Sequence, residues 1–217
     1  MTTLTGQQVA DAGLDGWAYL GMRLQTRITT GDFAAGLALV AAIGAAAERA
    51  GHHPDVDLRN AHVDVRLASH DEQGVTERDV ELARTISALA VAAGLRPETA
   101  GVSRLDLSLD TPDRQRVMPF WQAVLGVVPA EDPEQGIDLY DPADVLPRVW
   151  FQPSGDEEPR QRWHHDVLID PADVQRRIAA ALAVGGRLVS DAEAPSFWVL
   201  EDPDGNRVCL CTWQGRD

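Results

Sequence analysis

The strict alternation from Ala61 to Ser69 constrains this chain more than any other stretch. Val63, Val65 and Leu67 face one side, while His62, Asp64 and Arg66 face the other, which is the period of a half-buried strand. Long helical patterns lie on both sides of it. Asp32–Ala50 repeats Phe33, Leu37, Val40, Ile43 and Ala47 at spacings of three and four, and Gly51 ends it. Thr76 opens the second helix with Asp79 three residues on, a capping-box signal, and that helix stops at Gly94 with Pro97 beyond. Upstream, residues 3–13 read as a short helix and Gly16–Ile28 as one or two strands around Tyr19, Met22, Leu24 and Thr26. The expected unit is α+β: a small antiparallel sheet with helices on one face, over residues 1–98.

A second unit is expected over residues 100–217. Leu105, Leu107 and Leu109 alternate as a strand, and Gln115–Leu125 is helical up to Gly126. Val127–Pro129, Ile137–Tyr140 and Val149–Gln152 are short strand candidates. Ser154–Arg160 is polar with Pro and Gly, and reads as a linker. Beyond it, His165–Ile169 is a strand and Pro171–Ala183 a helix ending at Gly185-Gly186, with strands at Phe197–Leu200 and Val208–Cys211. Strand, helix and strands thus occur twice, about 60 residues apart, which predicts paired βαβββ modules.

Composition removes several function classes. All 19 basic residues are Arg, against 34 acidic residues and a formal charge of −15. Without lysine, the chain can form no Schiff base and supply no P-loop lysine. The acidic balance argues against a nucleic-acid partner. No apolar run reaches the roughly 18 residues of a membrane span, so no membrane partner is expected. The N-terminus lacks the basic and apolar regions of a signal peptide. The only cysteines, Cys209 and Cys211, suggest no disulfide framework, and a cytoplasmic location is the expectation.

Five side chains in the first unit can carry chemistry: Glu48, His52, His53, His70 and Asp79. Glu48 lies in the last turn of the first long helix. His52 and His53 follow at its C-terminus, where imidazolium is favoured, and Pro54 stiffens the loop that presents them. His70 ends the alternating strand, and strand pairing would bring it toward that loop. Imidazoles grouped in this way suit proton transfer near neutral pH. Taken alone, the residues leave other readings open. Adjacent loop histidines are commonly surface groups, Asp79 serves a helix cap, and three histidines offer a zinc set that the His-His adjacency makes awkward.

The segment EraGHHPDvdlrnahVdVrLaSHDeqGvTerDveLA, Glu48 to Ala83, resembles the signature of pterin-4a-carbinolamine dehydratases. Gly16-Trp17 and Asp32-Phe33 extend the likeness over residues 5–95. The resemblance implies dehydration of a 4a-hydroxytetrahydropterin to the quinonoid dihydropterin, with the pterin as substrate and neither metal nor other cofactor. It implies catalytic roles for His52, His53, His70 and Asp79, with Glu48 and Pro54 on the substrate. His52 and His70 would be the principal acid and base, in an order left open. It also implies a homodimer or higher homo-oligomer. One departure stands out: the family's aromatic residue after the His-His-Pro motif is missing from Val56–Asn60.

The second unit resembles glyoxalase-like (vicinal-oxygen-chelate) domains. The motifs are Phe120-Trp121 with Val124-Leu125-Gly126, Arg162 with His164 and Asp166, and Asp202-Pro203-Asp204-Gly205-Asn206. Metal-binding members carry His or Glu ligands at positions that here hold Asp106, Gln152 or a neighbour, His164 and Cys209. The resemblance therefore implies either a metal-free cup or a metal-dependent lyase or dioxygenase. The expectation for this chain is no metal, with Trp121, Trp150, Trp163 and Trp198 lining the cup or packing its core. The second reading of the whole chain is accordingly a non-catalytic small-molecule-binding protein that uses this cleft.

Overall fold

The computed structural model describes residues 2–132, 136–154, 163–201 and 207–216, apart from the side chains of residues 120, 123, 124, 131 and 132. The Asp202–Asn206 motif, Arg162 and most of the Ser154–Arg160 linker lie outside that set. The chain packs as two units. One comprises Met1–Ser103 with Ile169–Asp173 and Thr212–Asp217, the other Arg104–Leu168 with Val174–Cys211.

The first unit is the expected α+β layer. Helix α1 (Gly6–Asp11) precedes strands β1 (Ala18–Leu20) and β2 (Arg23–Thr29), and α2 (Phe33–Ala50) leads into β3 (Asp55–Leu58) and β4 (His62–Leu67). Helix α3 (Glu77–Ala92) and the two-residue β5 (Pro97–Glu98) complete it. The sheet runs β1-β2-β4-β3, with β5 also pairing β2, and the pairs are antiparallel. Val63, Val65 and Leu67 of β4 are fully buried with Leu24 and Ile28 of β2, as the alternation requires. Leu39 and Ile43 of α2 and Val80, Ala83 and Ile86 of α3 join them in one core.

Three details differ from the sequence reading. The loop after the histidines contains a strand, β3, whose Val56 and Leu58 pair with Val65 and Val63. Strand β5 forms where only a helix terminator was expected. Helix α2 is also rotated. Phe33 and Leu37 are exposed, and the buried face is Gly36, Leu39, Ile43, Ala46 and Ala47. Gly36 accounts for the rotation. A Cβ there would meet Leu58 at 2.6 Å, so the absent side chain lets the helix lie close on β3. The hydrophobic period alone could not distinguish small Ala and Gly contacts from large Phe and Leu ones. By length and composition α2 could also cross a membrane, contrary to the absence of such a run in the sequence reading, but its buried face belongs to the core.

The second unit opens with β6 (Ser103–Thr111), α4 (Arg114–Leu125), β7 (Val128–Asp132), β8 (Gly136–Tyr140) and β9 (Arg148–Pro153). The pattern recurs as β10 (Trp163–Ile169), α5 (Val174–Ala183), β11 (Arg187–Ser190), β12 (Phe197–Glu201) and β13 (Arg207–Cys211). Of these, β11 was not anticipated. The eight strands form one mixed sheet in the order β11-β12-β13-β10-β6-β9-β8-β7. Leu109, Leu139, Val149 and Phe151 are buried, with Val117, Met118, Trp121 and Leu125 of α4 packed against them. Trp121 and Trp163 belong to this core, with their rings T-shaped at 5.0 Å.

Gly16 ties β5 to the first sheet. Its φ is +77°, and an added Cβ would overlap the Pro97 carbonyl. Its own carbonyl accepts the Thr26 hydroxyl at 2.7 Å. Gly16→Ala is expected to cost at least about 2 kcal/mol from strain and backbone overlap. Urea denaturation measures this, and an unchanged midpoint would contradict the packing described.

Candidate active site

The site begins with the way α2 ends. Gly51 adopts φ +60° and ψ +30°, and its N–H bonds the Glu48 carbonyl. The His52 N–H bonds the Ala47 carbonyl at 3.2 Å. These two bonds form a Schellman cap, which satisfies the last helical carbonyls and fixes the backbone from which both histidines project. Glu48, one turn back, accepts a bond from His53 at Nε2, 3.1 Å. Both of those side chains are largely exposed, so this pair contributes little to stability.

His52 turns inward instead. It is 8% exposed, and its Nε2 lies 2.7 Å from Oδ1 of Asp79, which is 0% exposed. Asp79 is the third residue of α3. Its second oxygen, Oδ2, accepts the Thr76 N–H at 2.7 Å, the Ser69 hydroxyl at 2.8 Å and the Thr76 hydroxyl at 3.1 Å. The two hydroxyls lie 2.8 Å apart. A single carboxylate therefore closes the capping box with one oxygen and holds an imidazole with the other. The capping reading of Asp79 and the site reading are both satisfied by the same group.

This pairing sets the chemistry available to His52. A carboxylate only accepts, so Nε2 carries the proton in the pair. Nδ1 has no partner among the described residues and is the nitrogen left to exchange a proton. His70 follows Ser69 directly and is exposed. The register Asp55↔Arg66 runs the end of β4 past the start of β3, next to Pro54 and the histidine loop. Strand pairing thus carries His70 toward the same end of the sheet. The stretch Val56–Asn60 forms β3 and its following turn, with no aromatic ring in it.

Sequence reasoning missed Ser69 and Thr76 as members of this site. Ser69 appeared only as the end of an alternating strand and Thr76 only as a helix cap. The signal was local: two hydroxyl residues and an acid stand at the ends of neighbouring elements, and once buried they have to bond one another.

In the second unit, three of the positions matched to metal ligands, Asp106, His164 and Cys209, are engaged with other side chains. Asp106 lies 3.2 Å from Arg148 and 3.4 Å from Arg104. His164 Nε2 lies 3.0 Å from Asp110. Asp166 accepts from Trp150 Nε1 at 3.1 Å and from the Cys209 thiol. Among the described residues, no three His, Cys, Asp or Glu side chains are grouped to hold a metal ion.

Comparison with known proteins follows the same division. A family model described as pterin 4 alpha carbinolamine dehydratase matches residues 2–89, and one described as a glyoxalase-like domain matches residues 106–211. A Nocardia farcinica protein, provisionally named pterin-4-alpha-carbinolamine dehydratase, is 43% identical over 94 residues, which is 42% of this chain and 99% of that protein. A Thermosynechococcus vestitus protein with the same provisional name is 44% identical over 80 residues, 37% of this chain and 84% of the relative. Among solved structures, a transcriptional coactivator/pterin dehydratase from Brucella melitensis is 33% identical with a TM-score of 0.40, covering 41% of this chain and 99% of its own. A glyoxalase/bleomycin resistance protein/dioxygenase superfamily member from Vibrio splendidus is 15% identical with a TM-score of 0.36, covering 51% and 99%.

Removing the carboxylate tests how far the site depends on it. Asp79→Ala leaves the Thr76 N–H, the Ser69 hydroxyl and His52 without their acceptor, and is expected to cost about 3 kcal/mol in urea denaturation. Ser69→Ala removes one donor of four and is expected to cost about 1 kcal/mol. Equal costs for the two variants would contradict the shared-carboxylate arrangement.

Proposed function

The chain belongs to the pterin-4a-carbinolamine dehydratase family through its N-terminal domain, which a glyoxalase-like domain follows, and from that premise we propose that it dehydrates a 4a-hydroxytetrahydropterin. The buried His52–Asp79 pair carries this reading, because it supplies a held imidazole with one ring nitrogen left for the substrate.

The reaction loses water across the ring. A base takes the proton from the ring N–H, the C4a–O bond breaks, and the hydroxyl leaves as water after protonation by an acid. The product is the quinonoid dihydropterin, with no net change in oxidation state. Two groups, one that accepts a proton and one that gives a proton, are enough. His52 and His70 take these roles. Asp79 acts through His52: it fixes the ring and compensates the charge when Nδ1 gains a proton, as a buried carboxylate does for any imidazole it accepts from. His53 and Glu48, at the exposed rim, contact the polar edge of the substrate, and Pro54 keeps the loop from folding over it. The lack of an aromatic residue in Val56–Asn60 removes one stacking wall, which predicts a higher KM than for a protein with that ring.

The test is the rate of 4a-carbinolamine dehydration in a coupled hydroxylase assay. Wild-type protein should accelerate the step, and His52→Ala and His70→Ala should each reduce the acceleration by roughly 10²–10⁴-fold. No acceleration by the wild-type protein would overturn the reading.

A further inference from the structure

Gly6 opens α1, where glycine is a poor helix former and no positive φ calls for it. The reason for it lies far along the chain. A Cβ on Gly6 would stand 2.7 Å from Cε3 and 3.1 Å from Cδ2 of Trp213, so the indole rests against bare backbone. Trp213 follows β13, in the segment from Thr212 onward that belongs to the first unit. Thr212 is 3% exposed, and its hydroxyl accepts the Gln214 N–H at 3.2 Å, a turn that fixes the chain on both sides of the ring. Trp213 lies outside both stretches that match a family model, residues 2–89 and 106–211.

The start of α1 is joined to the backbone that carries the Asp79 donors. Thr5 and Gln8 close a capping box around Gly6, with bonds of 2.9 and 3.3 Å. Just before it, the Leu4 N–H donates to the Val75 carbonyl at 2.7 Å. The Thr3 methyl lies 3.0 Å from where a Gly74 Cβ would stand. Gly74 pairs with Ser69, and the Thr76 N–H bonds Asp79. Three successive residues are thus held by three different partners: Gly74 by Ser69, Val75 by Leu4 and Thr76 by Asp79. Val75 and Thr76 are 0% exposed. At the far end of α1, Arg84 of α3 donates to the Ala12 carbonyl at 3.0 Å. Trp213 holds the near end.

We infer that Trp213 is a positioning residue for the His52–Asp79 pair. Its ring on Gly6 keeps Thr3 and Leu4 seated on Gly74 and Val75, next to the residues that present the Ser69 and Thr76 donors to the carboxylate. Without the ring, α1 keeps its capping box but its first turn is released, and Leu4 leaves Val75. Thr76 then no longer stands at a fixed place for Asp79, and Asp79 no longer fixes the His52 ring. The inference rests on the proton-transfer reading of that pair. Trp213 gives no atom to the reaction and touches neither His53 nor Glu48 at the rim, so its effect falls on kcat and not on KM.

Two measurements on the full chain read this arrangement independently of any activity. The first is amide hydrogen exchange. In Trp213→Ala the Leu4 and Thr76 amides should exchange at least roughly ten-fold faster, while the β4 amides bonded to β2 keep their wild-type rates. The second is a double-mutant cycle followed by the urea midpoint. Gly6→Ala should lower the midpoint when Trp213 is present. In Trp213→Ala the same change should leave the midpoint unaltered or raise it, because the overlap is gone and alanine favours the helix. In the dehydration assay, Trp213→Ala should lower kcat at least roughly five-fold at unchanged KM. If wild-type protein shows no dehydration, the proposed reaction fails, and exchange and the cycle still decide whether Trp213 positions the pair. Unchanged exchange at Leu4 and Thr76, an equal rise throughout β4, a Gly6→Ala effect independent of Trp213, or an unchanged kcat in an active protein would each overturn the inference.

Discussion

A carboxylate with no solvent exposure needs a donor on each oxygen, and Asp79 meets that need in a way that organises the whole N-terminal unit. Its donors come from three different elements: Ser69 after β4, Thr76 at the start of α3, and His52 after α2. Each belongs to a segment whose position is fixed independently. The Schellman cap sets His52, β4 pairing with β2 and β3 sets Ser69, and the capping box sets Thr76. The bonds on Asp79 therefore join the ends of one strand and two helices at a single point. The hydrophobic layer of β2, β4, α2 and α3 brings those ends together, and the carboxylate makes the junction specific.

The second unit handles buried charge differently. Arg148 and Arg104 neutralise several aspartates directly, and the hydrophobic core lies on the other face of the same sheet. In the first unit a buried acid is satisfied mainly by neutral donors and a titratable ring. In the second, guanidinium meets Asp106 and Asp138, an imidazole meets Asp110, and an indole and a thiol meet Asp166.

Much of this was legible in the sequence because it rests on period and punctuation. Val63, Val65 and Leu67 declare the inner face of β4, and Gly51 and the Thr76/Asp79 spacing declare helix ends. The family signature placed the histidines and Asp79 in one stretch of chain. What the sequence could not show was which small residues make contact. Gly36 and the alanines, not Phe33 and Leu37, carry α2 onto the sheet, because close approach of backbone outweighs side-chain size there. Strand β3 was hidden because its Asp55 and Asp57 interrupt the apolar pattern, and its partner β4 decides its conformation. Ser69 was invisible as a site residue because its role depends on a contact ten positions away.

The central claim is that Asp79 holds His52 through Nε2 and leaves Nδ1 to the substrate. The most direct measurement is the nitrogen-15 NMR spectrum of the His52 ring at a pH where the ring is neutral, with and without a stable dihydropterin. The account predicts the Nε2–H tautomer, lost in Asp79→Ala, with the Nδ1 resonance moving when the pterin binds. A neutral ring protonated at Nδ1, or an Nδ1 resonance that does not respond to saturating pterin, would contradict it.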